Sequence, residues 1–258
     1  MQGHLLSAAA LAVGLFSVSG AAECARETLV AATSKLLAAQ TAGKPDTLGA
    51  LDGVGYLEQF KTADITKGIL TTPLKIDFNR SLHDTVQCAT FTEIVAATGS
   101  HPYVIGTQMH FTADGKLANL SSLVTDKGDW LFNATGTLYW ATREKWDVIP
   151  ADQRDSRATI QAAGDAYADL FNDKSVKVPW GSPCARLEGG SYTGSGSAND
   201  RCDVGVPNGV ALKNRRYIID ETLGAVDIFI DFASLPDSHE FRVEKGKLRF
   251  VHTITVMG

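Results

Sequence analysis

The feature that most constrains how this chain can fold is a faint internal repeat. Arg26–Ala42, RETLVAATSKLLAAQTA, and Arg157–Asn172, RATIQAAGDAYADLFN, align at an offset of 131 residues. Leu57-Glu58 and Leu187-Glu188 align at an offset of 130, and Gly115-Lys116-Leu117 and Gly246-Lys247-Leu248 align at 131. A fourth pair, Arg80-Ser81-Leu82-His83-Asp84 and Arg216-Tyr217-Ile218-Ile219-Asp220, is offset by 136, which requires a short insertion compensated later. Agreement of order and offset across separate elements is the signature of a duplicated unit. It divides the chain into residues 1–22, a first unit 23–125, a linker 126–155 and a second unit 156–258.

Each unit reads as one helix followed by strands. In the first, Leu29, Ala32, Leu36, Leu37 and Ala39 or Gln40 form an apolar stripe at helical spacing, stopped by Gly43-Lys44-Pro45. Val54–Phe60 is expected as a short strand. Three strand-like runs follow: Arg80–Ala97, Tyr103–Thr112 and, after the turn Ala113-Asp114-Gly115-Lys116, Leu117–Val124. One helix and a curved antiparallel meander make an α+β pattern. The linker carries Trp130, Trp140, Trp146 and Pro150, and aromatic content of that kind predicts a segment packed across both units.

Leu5–Val18 is an uncharged apolar run, short for a bilayer span, that leads into Ser19-Gly20-Ala21-Ala22. It reads as a secretory signal peptide cleaved after Ala21 or Ala22, with a membrane anchor as the weaker alternative. No later stretch is long and apolar enough to predict stable membrane insertion. Cys24, Cys88, Cys184 and Cys202 allow three pairings. Closure of the Gly/Ser-rich loop by Cys184 and Cys202 leaves Cys24 to meet Cys88. Three glycosylation sequons begin at Asn79, Asn119 and Asn133. A net charge of -5 without a basic cluster argues against a nucleic-acid partner. No zinc spacing, phosphate loop, dinucleotide fingerprint or hydrolase elbow occurs, so neither a metal nor a cofactor is expected.

The order helix, short strand, long meander closing in Asp114-Gly115-Lys116-Leu117, with Lys245-Gly246-Lys247-Leu248 in the second unit, resembles the SnoaL-like, or nuclear transport factor two-like, α+β cone. The string Val178–Gly194 (VPWGSPCARLEGGSYTG), with Cys202–Pro207 and Asn214–Glu221, is similar to a family of secreted fungal proteins of unassigned function. The resemblance implies two tandem cone-shaped units, each a helix wrapped by a curved antiparallel sheet and stabilised by disulfides. The cone hosts isomerases, dehydratases, cyclases and non-catalytic carriers.

In such a cone, alternate strand residues point into one pocket. The candidates on that geometry are Glu58, His83 and Asp84 in the first unit and Arg186, Glu188, Tyr192 and Asp220 in the second, with Trp180 as a ligand contact. Glu188 recurs as Glu58 and adjoins Gly189-Gly190, where backbone can approach a ligand closely. A carboxylate in an apolar pocket is raised toward neutral and suits proton transfer, with Arg186 or Tyr192 steadying the developing oxyanion. The competing expectation is Glu188 tied to Arg186 or Arg216 as a structural pair. Arg80 with Asp84, and Arg216 with Asp220, are expected as structural ion pairs along one strand face. His101, His110, His239 and His252 read as surface or half-buried strand residues. The functional expectation is a cofactor-independent lyase, isomerase or cyclase acting on a small, mostly apolar natural product such as a polyketide. The alternative is a secreted small-molecule-binding or surface-interaction protein.

Overall fold

The computed structural model describes residues 24–258; the expected signal peptide and its cleavage site lie outside them. Helix α1 (Arg26–Ala42) buries Leu29, Thr33, Leu36, Ala39 and Gln40 and ends at Gly43, whose φ of 64° closes the helix. Burial of leucines such as Leu29 and Leu36 contributes about 1.5–3 kcal/mol each. Gln40 is tolerated in that face because its amide donates to the carbonyls of Ile69 and Thr72.

The first sheet contains β1 (Gly55–Glu58), β2 (Lys61–Thr62), β3 (Phe78–Asp84), β4 (Ala89–Ala96), β5 (Tyr103–Phe111) and β6 (Leu117–Thr125), ordered β2-β1-β6-β5-β4-β3. After the linker with α2 (Ala134–Ala141) and then α3 (Arg157–Leu170), the second sheet contains β7 (Trp180–Glu188), β8 (Ser191–Tyr192), β9 (Leu212–Asp220), β10 (Ala225–Phe232), β11 (Leu235–Glu244) and β12 (Lys247–Thr255), ordered β8-β7-β12-β11-β10-β9. The two orders are the same. In each sheet the first strand runs parallel to the last, and the other pairings are antiparallel. The protein is therefore α+β, with two six-stranded sheets and two disulfides, Cys24–Cys88 and Cys184–Cys202.

Alternation along each strand divides the side chains between two faces. One face of the second sheet, with Val226, Ile228, Ile230, Phe241, Val243 and Val251, packs on Ile160, Ala163 and Tyr167 of α3. The opposite faces of the two sheets meet each other, with Leu82, Phe91, Val95 and Leu123 against Ile218, Phe229 and Ile254. The layers run helix, sheet, sheet, helix.

Two expectations about local structure change. Arg80–Ala97 is not one strand: the chain turns between β3 and β4, where Cys88 adopts φ 50°. The linker carries a helix, α2, capped by the Asn133 side chain accepting from Gly136 N. Trp146 does bridge the layers, stacking on Arg80 of β3 (3.7 Å) and Phe250 of β12 (5.9 Å).

Candidate functional site

Where β3 and β9 meet at the seam, each strand ends in a buried aspartate. Asp84 accepts both arms of the Arg157 guanidinium (2.8 and 2.6 Å) and the backbone N–H of Ile219. Asp220 accepts both arms of Arg26 (2.8 and 2.7 Å) and the backbone N–H of His83. The expected same-strand pairs Arg80–Asp84 and Arg216–Asp220 do not form. Each aspartate instead takes the first arginine of the other unit's helix and satisfies a backbone donor of the facing edge strand. His83 lies against α1, its Nε2 3.1 Å from Thr33 Oγ1, and burial together with Arg26 lowers its pKa to about 4. It is a packed neutral side chain.

Arg80 pairs elsewhere. Its Nη2 lies 2.8 Å from Glu93, 2.6 Å from Glu240 and 2.9 Å from His252 Nδ1, all buried between the sheets. Glu93, Glu240 and His252 are close enough together to ligate a metal. The guanidinium, however, already supplies the cation at their centre. Burial opposes protonation of His252, but Glu144 and Glu93 outweigh it and raise its pKa to about 10. The imidazolium then donates from Nδ1 to Glu93 (3.0 Å) and from Nε2 to Glu144 (2.7 Å). His252 and His239 are core residues, contrary to the surface or half-buried placement expected for them.

The carboxylates at the recurring Leu-Glu positions also have partners. Glu58 accepts from Tyr56 Oη and from Ile69 N (2.8 Å). Glu188 is bound by Arg186 at 2.6 Å. The paired arrangement therefore prevails, and Glu188 is not an unpaired base. Tyr192 turns away from Glu188, stacking on Trp140 (centroids 4.0 Å) in a separate surface groove beside Glu144. Trp180 packs edge-on to Tyr167 in the core (5.7 Å). What approaches Gly189-Gly190 is the linker: a Cβ on Gly189 would lie 2.1 Å from Trp130 O, and one on Gly190 2.2 Å from Asn133 O. The N–H groups of Ser195, Gly196 and Ser197 in the following loop are taken by the Asp200 carboxylate. That loop is thus organised from within.

Arg186 and Glu188 nonetheless belong to a cavity. It measures about 60 Å³ between the second sheet and the loop that follows Cys202, and its walls include Phe171, Phe232, Asp237, His239, Thr253, Thr255, Gly205 and Pro207. Asp237 and His239 alternate on β11 and so share its inner face with Phe241 and Val243. His239 Nδ1 lies 2.9 Å from Asp237 Oδ2, yet neither atom has an aligned hydrogen bond. Asp237 Oδ1 accepts from Thr255 Oγ1 (2.7 Å). The ring of Tyr167 sits 5.4 Å from that of His239. Burial, opposed by the nearby Arg186, raises the Tyr167 pKa and keeps its proton in place. Tyr167 Oη, Arg186 Nε, Asp237 Oδ2 and His239 Nδ1 are all buried without a hydrogen-bond partner among the described residues.

The first sheet lacks this chemistry. The pair Asp237 and Thr255 across β11 and β12 is matched by Ile105 and Val124 across β5 and β6, and His239 with Thr253 by Thr107 with Ser122. Thr107 and Ser122 hydrogen-bond each other at 3.0 Å. Sequence reasoning reached Arg186 and Glu188 but missed Asp237 and His239. The available signal was the polar pair at 237 and 239 where the repeat carries Ile105 and Thr107.

The fold and cavity define an α+β protein with a partner-poor polar pocket under its second sheet. Residues 153–255 match a family described as a domain of unknown function (DUF8021). That span holds every named wall residue of the cavity. No curated protein matches the chain.

Proposed function

We propose that the cavity under β7, β11 and β12 is a small-molecule site performing general acid/base chemistry, in the manner of a cofactor-independent lyase, isomerase or cyclase. The chain is then a tandem pair of SnoaL-like cones in which the second unit carries the site and the first is a filled structural copy. The observation that carries the reading is the buried pair Asp237 and His239, 2.9 Å apart without an aligned hydrogen bond, beside the unpartnered Arg186 Nε at one cavity. Native interiors satisfy such atoms, so their concentration at one place fits groups reserved for a ligand. His239 is the base, oriented by Asp237, while Arg186 stabilises an oxygen that gains charge. Glu188 serves as the positioning partner of Arg186. The aromatic walls Phe171 and Phe232 favour a substrate with an apolar body, and the small cavity accepts its oxygenated end. Export is part of the proposal, supported by two disulfides, which form and persist in an oxidising compartment.

The test is exchange of the α-protons of small ketones in deuterated solvent, together with ligand-observed magnetic resonance of ketone and phenol fragments. Fragment binding and exchange by the native chain, with exchange lost in His239→Gln, are expected. Binding without exchange would favour a non-catalytic carrier. Absence of fragment binding would remove the site altogether.

A further inference from the structure

A second arginine stands where the structure leaves its counter-charges out. Arg80 on β3 faces Glu93 across the ladder, and reaches the cross-strand pair Glu240 and His252 of the other sheet. Arg216 occupies the matching position on β9. Its ladder partner is Phe229, and the cross-strand pair at the matching register of the first sheet is Gln108 and Ser121. Both arginines are covered by an aromatic ring, Arg80 by Trp146 at 3.7 Å and Arg216 by Phe60 at 3.9 Å. The arginine and its lid are present on both sides, but both carboxylates and the histidine are replaced by neutral groups on one.

A cleft of about 340 Å³ opens there, lined by Arg216, Ser121, His110, Asn119, Leu57 and Phe229 among others. Among the described residues the Arg216 side chain has no ion pair, and its buried Nε has no hydrogen-bond partner. Ser121 Oγ is likewise buried and unpaired. Gln108 does not compensate, because its amide donates to Asp227 (2.6 Å) and to the Arg216 carbonyl (3.2 Å). Burial lowers the Arg216 pKa, with Asp231 and Asp227 only partly offsetting it. The neighbouring His110 is also held below its ordinary value, by burial and by Arg216 against the opposing pull of Asp84.

We infer that the Arg216 cleft binds a small organic acid, its carboxylate seated on Arg216 and Ser121 in place of the missing glutamates and its apolar body against Phe229 and Leu57. A planar carboxylate matches the guanidinium fork. The site lies on the face of the sheets opposite the His239 cavity and does not depend on the function proposed for that cavity.

The test is calorimetric titration of the full chain with benzoate, with benzyl alcohol as the neutral analogue and inorganic sulfate as the simple anion. Benzoate is expected to bind with a dissociation constant of about 1 mM or tighter. Benzyl alcohol and sulfate are expected to bind at least about tenfold more weakly, and Arg216→Gln should weaken benzoate by a similar factor. Ser121→Asp sets an internal carboxylate on the cleft wall beside Arg216 and should abolish benzoate binding in a folded chain, so it decides the matter even if Arg216→Gln fails to fold. No benzoate binding to the native chain, binding unchanged in the folded variants, or sulfate binding as tightly as benzoate would each overturn the assignment.

Discussion

Replacing the polar wall of the second cavity by apolar residues should make the protein more stable. The variant is Asp237→Ile, Thr255→Val and His239→Phe. The first two changes copy Ile105 and Val124, and the third keeps an aromatic ring beside Tyr167, Phe171 and Phe241. Removing both partners of the Asp237–Thr255 hydrogen bond by apolar groups of similar shape is close to neutral. Eliminating the misaligned buried contact between Asp237 Oδ2 and His239 Nδ1 relieves about 1–3 kcal/mol. Filling a cavity of about 60 Å³ adds about 1 kcal/mol at the cost per volume seen for core cavities. Some of this is lost to imperfect packing of the larger side chains. A net gain of about 2 kcal/mol or more is expected, raising the melting temperature by about 4 °C or more in a chain of this size. Urea unfolding followed by circular dichroism measures it. A gain accompanied by loss of ligand binding is the pattern of a site held at the expense of stability. A loss greater than about 1 kcal/mol would show that the polar groups hold the fold together, and the functional reading of the cavity would fail.

Three further outcomes follow from the fold. Asp84→Ala and Asp220→Ala should each cost about 3–5 kcal/mol in urea unfolding, because each strands an arginine and edge-strand donors; a cost below about 1 kcal/mol for either would contradict the cross-unit pairing. The His252 pKa is raised from 6.5 to about 10 on folding, so its contribution is complete below 6.5 and lost as pH rises through 10; His252→Gln should flatten that alkaline decline, and an unchanged profile would refute the assignment. Cys184→Ser with Cys202→Ser opens a loop closed over a sequence separation of 18 residues and should cost about 3 kcal/mol, with faster proteolysis between positions 193 and 211 but not in the first sheet.

The sequence by itself determined what depends on near neighbours and on order. The helix over Arg26–Ala42 follows from apolar spacing and a glycine stop, and the two matching sets of strands from the recurrence of Leu-Glu and Gly-Lys-Leu at nearly one offset. The four cysteines paired in the way that closes the Gly/Ser-rich loop. Partners of charged groups were decided by tertiary structure alone. Arg80 and Asp84 share a strand, yet meet Glu240 and Arg157 from the other half, because packing the sheets back to back brings those groups closer than any neighbour along the strand. Glu188, attractive as a recurring carboxylate, was claimed by Arg186, while His239 and Asp237 were brought to the wall of the cavity once β11 turned them inward. Periodicity specifies which face a side chain occupies. Whether that face meets a helix, a second sheet or an empty cavity is a property of the assembled layers, and there the candidate sites arise.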